Sequence, residues 1–473
     1  MIFTSITFVA FFAAVLALLA LIRSASGRIW LLLVASYVFY ANWNPYYCVL
    51  IFLYGFWGWG LGLVMHKART PTLKRLYFFP SIALSLGTLC YFKYANFLAE
   101  NIALLFGMKN WNPIDIVLPV GISFFTFHTM SYNIDLYRGR IEASQNPIKF
   151  FLFVSFFPQL VAGPILRASN FLPQLDQLVR ITWPNVISGT QLFIGGAIQK
   201  KLFADYLSIF VDQVFRSPEI YSPGTLWLAV AAYSMQIFCD FAGYSLMAIG
   251  TARILGFELP ENFRMPYLSQ SIGEFWRRWH ISLSSWLRDY LYIPLGGNRQ
   301  GVVRTQVNMA ITMLLGGLWH GASWNFVLWG GLHGLALGVN RAWTAWRNSR
   351  GLSPFQCGPG YRTASWALTL LFCSLAWVPF RSPSFHTTLV FVRGLFPNSG
   401  GCITWYHTPT VVILVAVIGW HLVYQFAPSL FCRLPFLPEK LTTWPAMLVL
   451  GFAVLLLVLL APLNASPFIY FQF

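Results

Sequence analysis

The chain has 473 residues, of which 57% are hydrophobic and only 10% are charged. A soluble domain carries about 25% charged residues, so this composition excludes a soluble protein and predicts an integral membrane protein. The net charge of +17 would also suit nucleic-acid binding, but the basic residues lie between apolar segments. Lysine and arginine in short loops fix the orientation of a membrane protein, so we expect the lipid bilayer as a partner and no nucleic acid.

The apolar segments predict an all-α, polytopic protein. A spanning helix needs roughly 20 residues, which leaves room for about ten or more transmembrane helices in this chain. Several segments contain glycine, proline, asparagine or histidine, so we also predict re-entrant or interfacial helices, whose irregular backbone is tolerated inside a protein. We find no repeat and no soluble domain, and we interpret residues 1–473 as a single membrane domain.

The first quarter of the chain predicts paired spans. A first span is expected over residues 1–22, followed by a helical hairpin over 29–65 that turns near 42–45. Two separate apolar segments follow at about 77–94 and 97–108.

Residues 118–139 combine apolar bulk with many small polar side chains. Pro119 and Gly121 near the start of this segment would bend or break a helix. A pore-facing helix and a helix that hydrogen-bonds to its neighbours both fit the pattern. Residues 156–164 form a second apolar run that is interrupted by proline and glycine.

The centre of the chain contains a candidate span with a carboxylate inside it. Lys200 and Lys201 are interpreted as cytoplasmic loop charges, and a long span over 226–255 contains Asp240. An unpaired carboxylate at membrane depth is expensive, so we expect Asp240 to have a partner or a functional role.

Tryptophans and arginines accumulate over residues 253–304. Residues 275–288 predict one helix near the cytoplasmic interface, with Trp276, Trp279 and Leu283 on one face and His280 beside them. This pattern fits a lipid-anchoring helix with a bystander histidine, and it also fits part of a site.

Residues 316–334 place His320 inside an apolar, glycine-rich run. Repeated Gly-x-x-x-Gly spacings allow helix backbones to approach closely. A titratable imidazole in such a run either hydrogen-bonds to a neighbouring carbonyl in a packing hairpin or belongs to a functional site.

Other common site chemistries find no support in the sequence. The seven cysteines lie far apart without a Cys-x-x-Cys pair, so we expect buried thiols rather than a disulfide framework or a metal site. The sequence contains no Walker-type phosphate-binding loop and no Gly-x-Ser-x-Gly elbow, which argues against an ATPase or a serine hydrolase of those types.

Three blocks of sequence together resemble the membrane-bound O-acyltransferase family. They are residues 118–139 with 156–167, then 236–299, and then 316–334. The most specific feature is the run Trp279-His-Ile-Ser-Leu-Ser-Ser-Trp-Leu-Arg-Asp-Tyr-Leu-Tyr-Ile-Pro294, followed by Leu318-Trp-His-Gly321. The resemblance is to the bacterial branch that includes the membrane subunits of alginate O-acetylation and of teichoic acid D-alanylation. It covers most of residues 1–385, with core motifs over 118–334, and residues 377–381 also fit.

The resemblance implies a fold and a set of site residues. The family fold is a ring of tilted helices around a central funnel. The family's essential histidine corresponds to His320, and its frequently paired histidine corresponds to His280. His333 lies where alginate-type members also carry a histidine. Relatives often carry a second acid where this chain has Leu246, so any task of that acid would belong to Asp240 or be absent.

The implied reaction is acyl transfer from a thioester to a hydroxyl. Imidazole has an ordinary pKa of about 6.5, so His320 suits a general base, although a covalent acyl carrier is an alternative. The indole N–H groups of Trp279 or Trp319 could hold the developing oxyanion. Arg278, Arg288 and Arg299 could dock a phosphorylated donor, although each also fits an ordinary basic loop. No bound cofactor is expected; the donor would be an acyl-CoA such as acetyl-CoA, or a phosphopantetheinyl-carrier thioester.

The resemblance also implies a biological setting. We expect a multi-pass protein of the bacterial inner membrane that moves an acyl group, most simply acetyl, across the membrane. The acceptor would be an exported polysaccharide of the alginate or cellulose type, reached through a periplasmic or extracellular acyltransferase partner. D-alanyl transfer to teichoic acid and peptidoglycan O-acetylation are alternatives. A transporter or flippase is the alternative from another class, since it would also contain broken helices and a buried acid.

Overall fold

The structure, a computed structural model, describes residues 1–108, 112–160, 163–177, 180–352, 358–398, 400–426, 444–462 and 468. In these ranges the regular structure is helical, and the β-type pairing is one isolated parallel bridge between Tyr221 and Ile403. The all-α prediction is therefore confirmed. Three parts of the fold prediction stay predictions. They are any spans beyond the five described below, the ring of helices, and the single domain over 1–473.

The described chain divides into two compact units. Unit 1 consists of Met1–Phe193 and Ser245–Pro260, and unit 2 consists of Ile194–Tyr244 and Glu261–Phe473. The first ten helices are α1 (Ile6–Leu21), α2 (Ala25–Ala41), α3 (Tyr47–Lys67), α4 (Pro71–Leu89), α5 (Ala95–Leu105), α6 (Ile122–Tyr137), α7 (Pro147–Ser155), α8 (Phe157–Leu160), α9 (Ala168–Phe171) and α10 (Trp183–Ile198).

Ten further helices follow in the described ranges. They are α11 (Asp205–Arg216), α12 (Pro223–Ile254), α13 (Ile272–Arg278), α14 (Ile281–Leu287), α15 (Gly301–His320), α16 (Trp324–Ser349), α17 (Pro359–Arg381), α18 (Phe385–Gly394), α19 (Thr408–Phe426) and α20 (Trp444–Leu460). The chain passes from one unit to the other within α10 and within α12.

Five helices in the described ranges are long and apolar enough to cross a membrane. They are Tyr47–Lys67, Pro71–Leu105, Pro223–Ile254, Pro359–Arg381 and Thr408–Phe426. Shorter apolar helices also occur, such as Ile6–Leu21 and Ala25–Ala41. The predicted hairpin over 29–65 is confirmed, because α2 and α3 flank the turn near residues 42–45.

The prediction of two separate apolar segments over residues 77–108 is wrong. The two apolar segments expected at 77–94 and 97–108 belong to one continuous helix, Pro71–Leu105. The helix passes through Cys90–Tyr94 as a stretch of π-helix, which widens the turn without ending the helix. Several predicted features lie outside the described residues: Val161 and Ala162 of the interrupted run over 156–164, and the thiols of Cys357 and Cys432.

Helix α6 is the buried centre of unit 1. It begins after Gly121, whose φ of 78° is left-handed, as expected for a glycine that breaks the segment. Residues 122–136 are all buried. The hydroxyls of Thr126 and Tyr54 lie 3.0 Å apart, and His128 Nε2 accepts the N–H of Leu166 at 3.2 Å. These contacts lie within unit 1 and favour interhelical hydrogen bonding as the role of the polar residues of α6.

Helices α15 and α16 form a closely packed antiparallel hairpin in unit 2. Ser323 starts α16, because its hydroxyl accepts the Asn325 N–H at 3.2 Å. A side chain at Gly317 would overlap the carbonyl oxygen of Phe326, and one at Gly330 would overlap that of Met313. The close approach predicted from the Gly-x-x-x-Gly spacings is therefore confirmed.

We expect Gly330→Ala to destabilise this hairpin. The added methyl group would press on the backbone of α15, and overpacking of this kind costs about 1–3 kcal/mol. Gly331→Ala is the matched control, because its methyl group would lie an ordinary 3.7 Å from Leu314. Thermal unfolding in detergent, followed by gel filtration, should show a lower midpoint for the first variant only. Equal midpoints would contradict the tight packing.

Candidate active site

The segment around His280 is a corner between two short helices. Helix α13 ends at Arg278 and α14 begins at Ile281, with His280 between them at a left-handed φ of 42°. The prediction of one helix over 275–288 is therefore wrong. The Ser282 N–H would bond to the Arg278 carbonyl in a continuous helix, but it donates to Asn262 Oδ1 at 3.2 Å.

Asn262 and its neighbours occupy the backbone groups of this corner. The Arg278 carbonyl accepts the N–H of Arg264 at 2.9 Å, and the Ile281 N–H donates to the Asn262 carbonyl at 2.9 Å. The Ser282 hydroxyl also donates to Asn262 Oδ1 at 2.9 Å. Sequence reasoning missed Asn262, because these bonds join parts of the chain about 20 residues apart.

His280 and Trp279 are buried rather than interfacial. Both side chains are nearly inaccessible, which contradicts a lipid-anchoring helix with a bystander histidine. The His280 ring lies 4.6 Å from the Phe241 ring, and Trp279 lies 5.0 Å from Trp377. Burial lowers the pKa of His280 to about 3, so its imidazole is neutral at physiological pH.

His320 ends α15 and is enclosed by aromatic rings from its own hairpin and from α17. Its ring lies 5.1 Å from Trp319, 5.0 Å from Trp329 and 5.2 Å from Phe380. The His320 side chain is almost fully buried. An apolar enclosure of this kind excludes bulk water and strengthens electrostatic effects on a reacting group.

Two tryptophans connect the histidines of unit 2. Trp319 contacts both His280, at 5.9 Å between ring centroids, and His320. Trp329 contacts both His320 and His333, the latter at 4.7 Å. We call His280, His320 and His333, with Trp319, Trp329 and the rings around them, the histidine–tryptophan cluster. Its His333 Nδ1 accepts the indole N–H of Trp276 at 3.3 Å.

Sequence reasoning missed two members of this enclosure. Trp329 lies four residues before His333 on α16, a spacing that places both on one helix face. Phe380 lies in the motif Trp377-Val-Pro-Phe-Arg381, which carried part of the family resemblance. Both signals were present, but nothing in the sequence shows which aromatic residues contact His320.

The three arginines predicted to dock the donor differ in their ion pairs. Arg278 forms an ion pair with Glu274 at 2.7 Å, and Arg288 pairs with Asp289 at 2.7 Å. Arg299 is exposed and forms no ion pair in the described ranges. Of the three, Arg299 is the arginine with the most freedom to bind an outside anion.

Asp240 has the partner that its position on α12 requires. Lys200 Nζ lies 2.6 Å from Asp240 and 2.8 Å from Asp205, and Lys201 lies 3.1 Å from Asp205. The side chains of Lys200, Asp205 and Asp240 are nearly inaccessible. Lys200 is therefore not a cytoplasmic loop charge, as its sequence suggested, but the centre of a buried ion cluster.

No group of three histidine, cysteine or acidic side chains in the described ranges could hold a metal ion. The described cysteines, which are Cys48, Cys90, Cys239, Cys373 and Cys402, are free thiols.

Comparison with known proteins identifies the class of protein that carries this arrangement. A family model for the membrane-bound O-acyltransferase family matches residues 138–378. This match includes His280, His320 and His333, so the three histidines of the cluster lie inside the matched segment. The chain belongs to the membrane-bound O-acyltransferase family.

Individual relatives extend the similarity over most of the chain. The "Probable alginate O-acetylase AlgI" of Pseudomonas putida is 40% identical over 403 residues, which cover 84% of this chain and 80% of the relative. The "Peptidoglycan O-acetyltransferase" of Helicobacter pylori is 35% identical over 400 residues, covering 79% and 74%. The "Teichoic acid D-alanyltransferase" of Streptococcus thermophilus is 32% identical over 238 residues, covering 47% and 57%. These matches support an acyltransferase embedded in a membrane.

Proposed function

We propose that this protein transfers an acetyl group from a thioester donor towards hydroxyl groups of an exported polysaccharide of the alginate or cellulose type. The observation that carries the proposal is His320, a buried histidine of the segment matched by the family model, enclosed by Trp319, Trp329 and Phe380. The extent of similarity to the alginate-type relative favours acetyl over D-alanyl transfer, since it covers 84% of the chain against 47%.

His320 acts as the general base in this proposal. Its imidazole accepts the proton of the acceptor hydroxyl while the hydroxyl oxygen forms a bond to the thioester carbonyl carbon. The carbon–sulfur bond then breaks, and the leaving thiolate takes a proton. The aromatic walls keep water from competing as the acceptor. The buried, neutral His280 contacts Trp319 and holds the indole next to His320.

The indoles and an arginine supply the remaining functions. An indole N–H is a donor without an acceptor function, so Trp319 or Trp279 can stabilise the developing oxyanion without acting as a base. Arg299 is exposed and can bind a phosphate of acetyl-CoA or of a phosphopantetheinyl carrier. Arg278 and Arg288 contribute to this donor site after exchanging their acidic neighbours for the donor phosphate.

The proposal places the two substrates on opposite faces of the bacterial inner membrane. Activated acyl thioesters are made in the cytoplasm, whereas an exported polysaccharide is outside. A periplasmic or extracellular acyltransferase partner then receives the acyl group and delivers it to the polymer. The protein therefore works as the membrane step of a two-protein relay.

Sealed vesicles test this relay directly. The purified protein is reconstituted, and molecules of opposite orientation are distinguished by a protease-cleavable tag on one face. Labelled acetyl-CoA is supplied on the cytoplasmic face, and a purified periplasmic acyltransferase partner is enclosed on the other face. We expect label on the partner only when the protein is present and the donor is on the cytoplasmic face.

His320→Ala vesicles are the control for leakage, because they contain the same fold without the proposed base. Labelling of the partner only when donor and partner share one face would contradict the cross-membrane step. It would leave the acyltransferase activity itself intact. Absence of labelling in every arrangement, with the protein folded, would contradict the assignment of donor or partner.

A further inference from the structure

The end of α16 contains a buried arginine on an otherwise exposed stretch. Arg347 has 7% of its surface exposed, whereas every other residue from 341 to 350 is exposed. The exposed neighbours include two tryptophans, Trp343 and Trp346, whose rings stack with centroids 4.9 Å apart. A charged side chain is rarely buried without a compensating partner, so Arg347 needs an explanation.

Tyr361 at the start of α17 is the contact that holds Arg347 in place. Arg347 Nη1 donates to the Tyr361 hydroxyl oxygen at 2.7 Å, and Trp343 Nε1 donates to the same oxygen at 3.0 Å. The Arg347 guanidinium also lies 5.4 Å from the centroid of the Tyr361 ring. These contacts orient the guanidinium group but do not neutralise its charge.

The described part of the chain provides no anion for Arg347. No ion pair involves it there, and its buried Nε has no hydrogen-bond partner among the described residues. The sequence explains the first observation, since it contains no aspartate or glutamate at all from residue 290 to residue 438. An anion carried by another molecule can therefore supply the compensation that the described residues do not.

The position of Arg347 in unit 2 fits a membrane surface. Gln306 Nε2 on α15 donates to the Gly338 carbonyl on α16 at 3.4 Å, so the end of α16 lies beside the start of α15. Exposed arginines occur at this end of the hairpin, such as Arg304, Arg350 and Arg362. Arginine with half-exposed tryptophan is typical of the lipid–water interface, and the excess of positive charge predicts the cytoplasmic side.

We propose that Arg347, Tyr361 and the exposed Arg350 and Arg362 form a binding site for the phosphate of an anionic phospholipid. A guanidinium group binds phosphate in a two-pronged geometry, and basic pockets between helices on the cytoplasmic side suit anionic headgroups. The stacked rings of Trp343 and Trp346 contact the upper part of the acyl chains. A soluble phosphate compound would make no use of these exposed apolar rings.

Lipid binding to the purified full-length chain tests the proposal. The protein in a neutral detergent is titrated with phosphatidylglycerol or phosphatidylcholine, and bound lipids are counted by native mass spectrometry. We expect phosphatidylglycerol to bind at least tenfold more tightly than phosphatidylcholine. Arg347→Gln should lose at least tenfold in affinity for phosphatidylglycerol, and Arg347→Lys should recover part of it, because an ammonium group binds as a point charge.

Arg304→Gln is the matched control, since it removes one exposed positive charge from the same end of the hairpin and should change the affinity less than twofold. Tyr361→Phe keeps every charge but removes the oxygen that orients Arg347, so it should weaken binding severalfold even where Arg347→Gln fails to fold. Equal loss in Arg304→Gln and Arg347→Gln would overturn the site in favour of diffuse charge attraction. Displacement of the lipid by millimolar inorganic phosphate or coenzyme A would assign Arg347 to a soluble ligand instead.

Discussion

His320→Ala should reduce acyl transfer by more than about 10²-fold, the lower end of what a general base contributes. The imidazole lies at the end of α15, where Trp319, Trp329 and Phe380 enclose it. Water that fills the vacated space is a far weaker base than imidazole near neutral pH. Transfer of labelled acetyl groups in reconstituted vesicles measures the effect.

Two comparisons make this experiment specific. His386→Ala removes an exposed histidine on α18 and should leave transfer unchanged. His280→Ala should give a smaller loss than His320→Ala, because His280 contacts Trp319, which in turn contacts His320. Wild-type turnover by a folded His320→Ala protein would refute the general-base mechanism. A variant that no longer inserts or folds would instead indicate a structural role for this histidine.

Lys200→Met should strongly destabilise unit 2. The substitution leaves the buried carboxylates of Asp205 and Asp240 without their shared cation, and breaking a buried ion pair in this way costs about 3–5 kcal/mol. Methionine has a similar length, so the loss would come from charge rather than from volume. We expect a lower yield of monodisperse protein and a lower midpoint of thermal unfolding in detergent.

Lys201→Met is the matched control for this substitution. Lys201 also pairs with Asp205, but its side chain is 12% exposed whereas that of Lys200 is 2% exposed. Its removal should therefore cost clearly less stability. Asp240→Asn tests whether Asp240 has a functional role besides its ion pair with Lys200: lost activity at unchanged stability would support such a role. A Lys200→Met protein as stable as the wild type would show that the buried cluster does not hold unit 2 together.

The sequence was sufficient to predict the features that depend on local pattern. Apolar composition predicts an all-α membrane protein, and the spacing of glycines predicts the close hairpin that ends at His320. The motifs at 279–294 and 318–321 also predict the family, which the comparisons confirm. Each of these signals comes from residues that are close together in the chain, so a single sequence is enough to reveal it.

The features that the sequence did not predict depend on bonds between distant parts of the chain. Periodicity favours one helix over 275–288, but the side chain and backbone of Asn262 take over the groups that would continue it. The sequence indicated that Asp240 needs a partner. That partner is Lys200, which the sequence suggested was an ordinary loop charge. Tertiary contacts decide both cases, and a pattern of hydrophobicity contains no information about them.

The left-handed backbone at His280 makes this position a site of conflict between stability and activity. A residue with a β-carbon costs about 1–2 kcal/mol in that conformation, whereas glycine adopts it freely. Selection for thermal resistance alone would therefore favour glycine at this corner and discard the imidazole. In a library of variants selected only for thermal stability, His280 should be replaced early. The most stable variants should then have low acyltransferase activity.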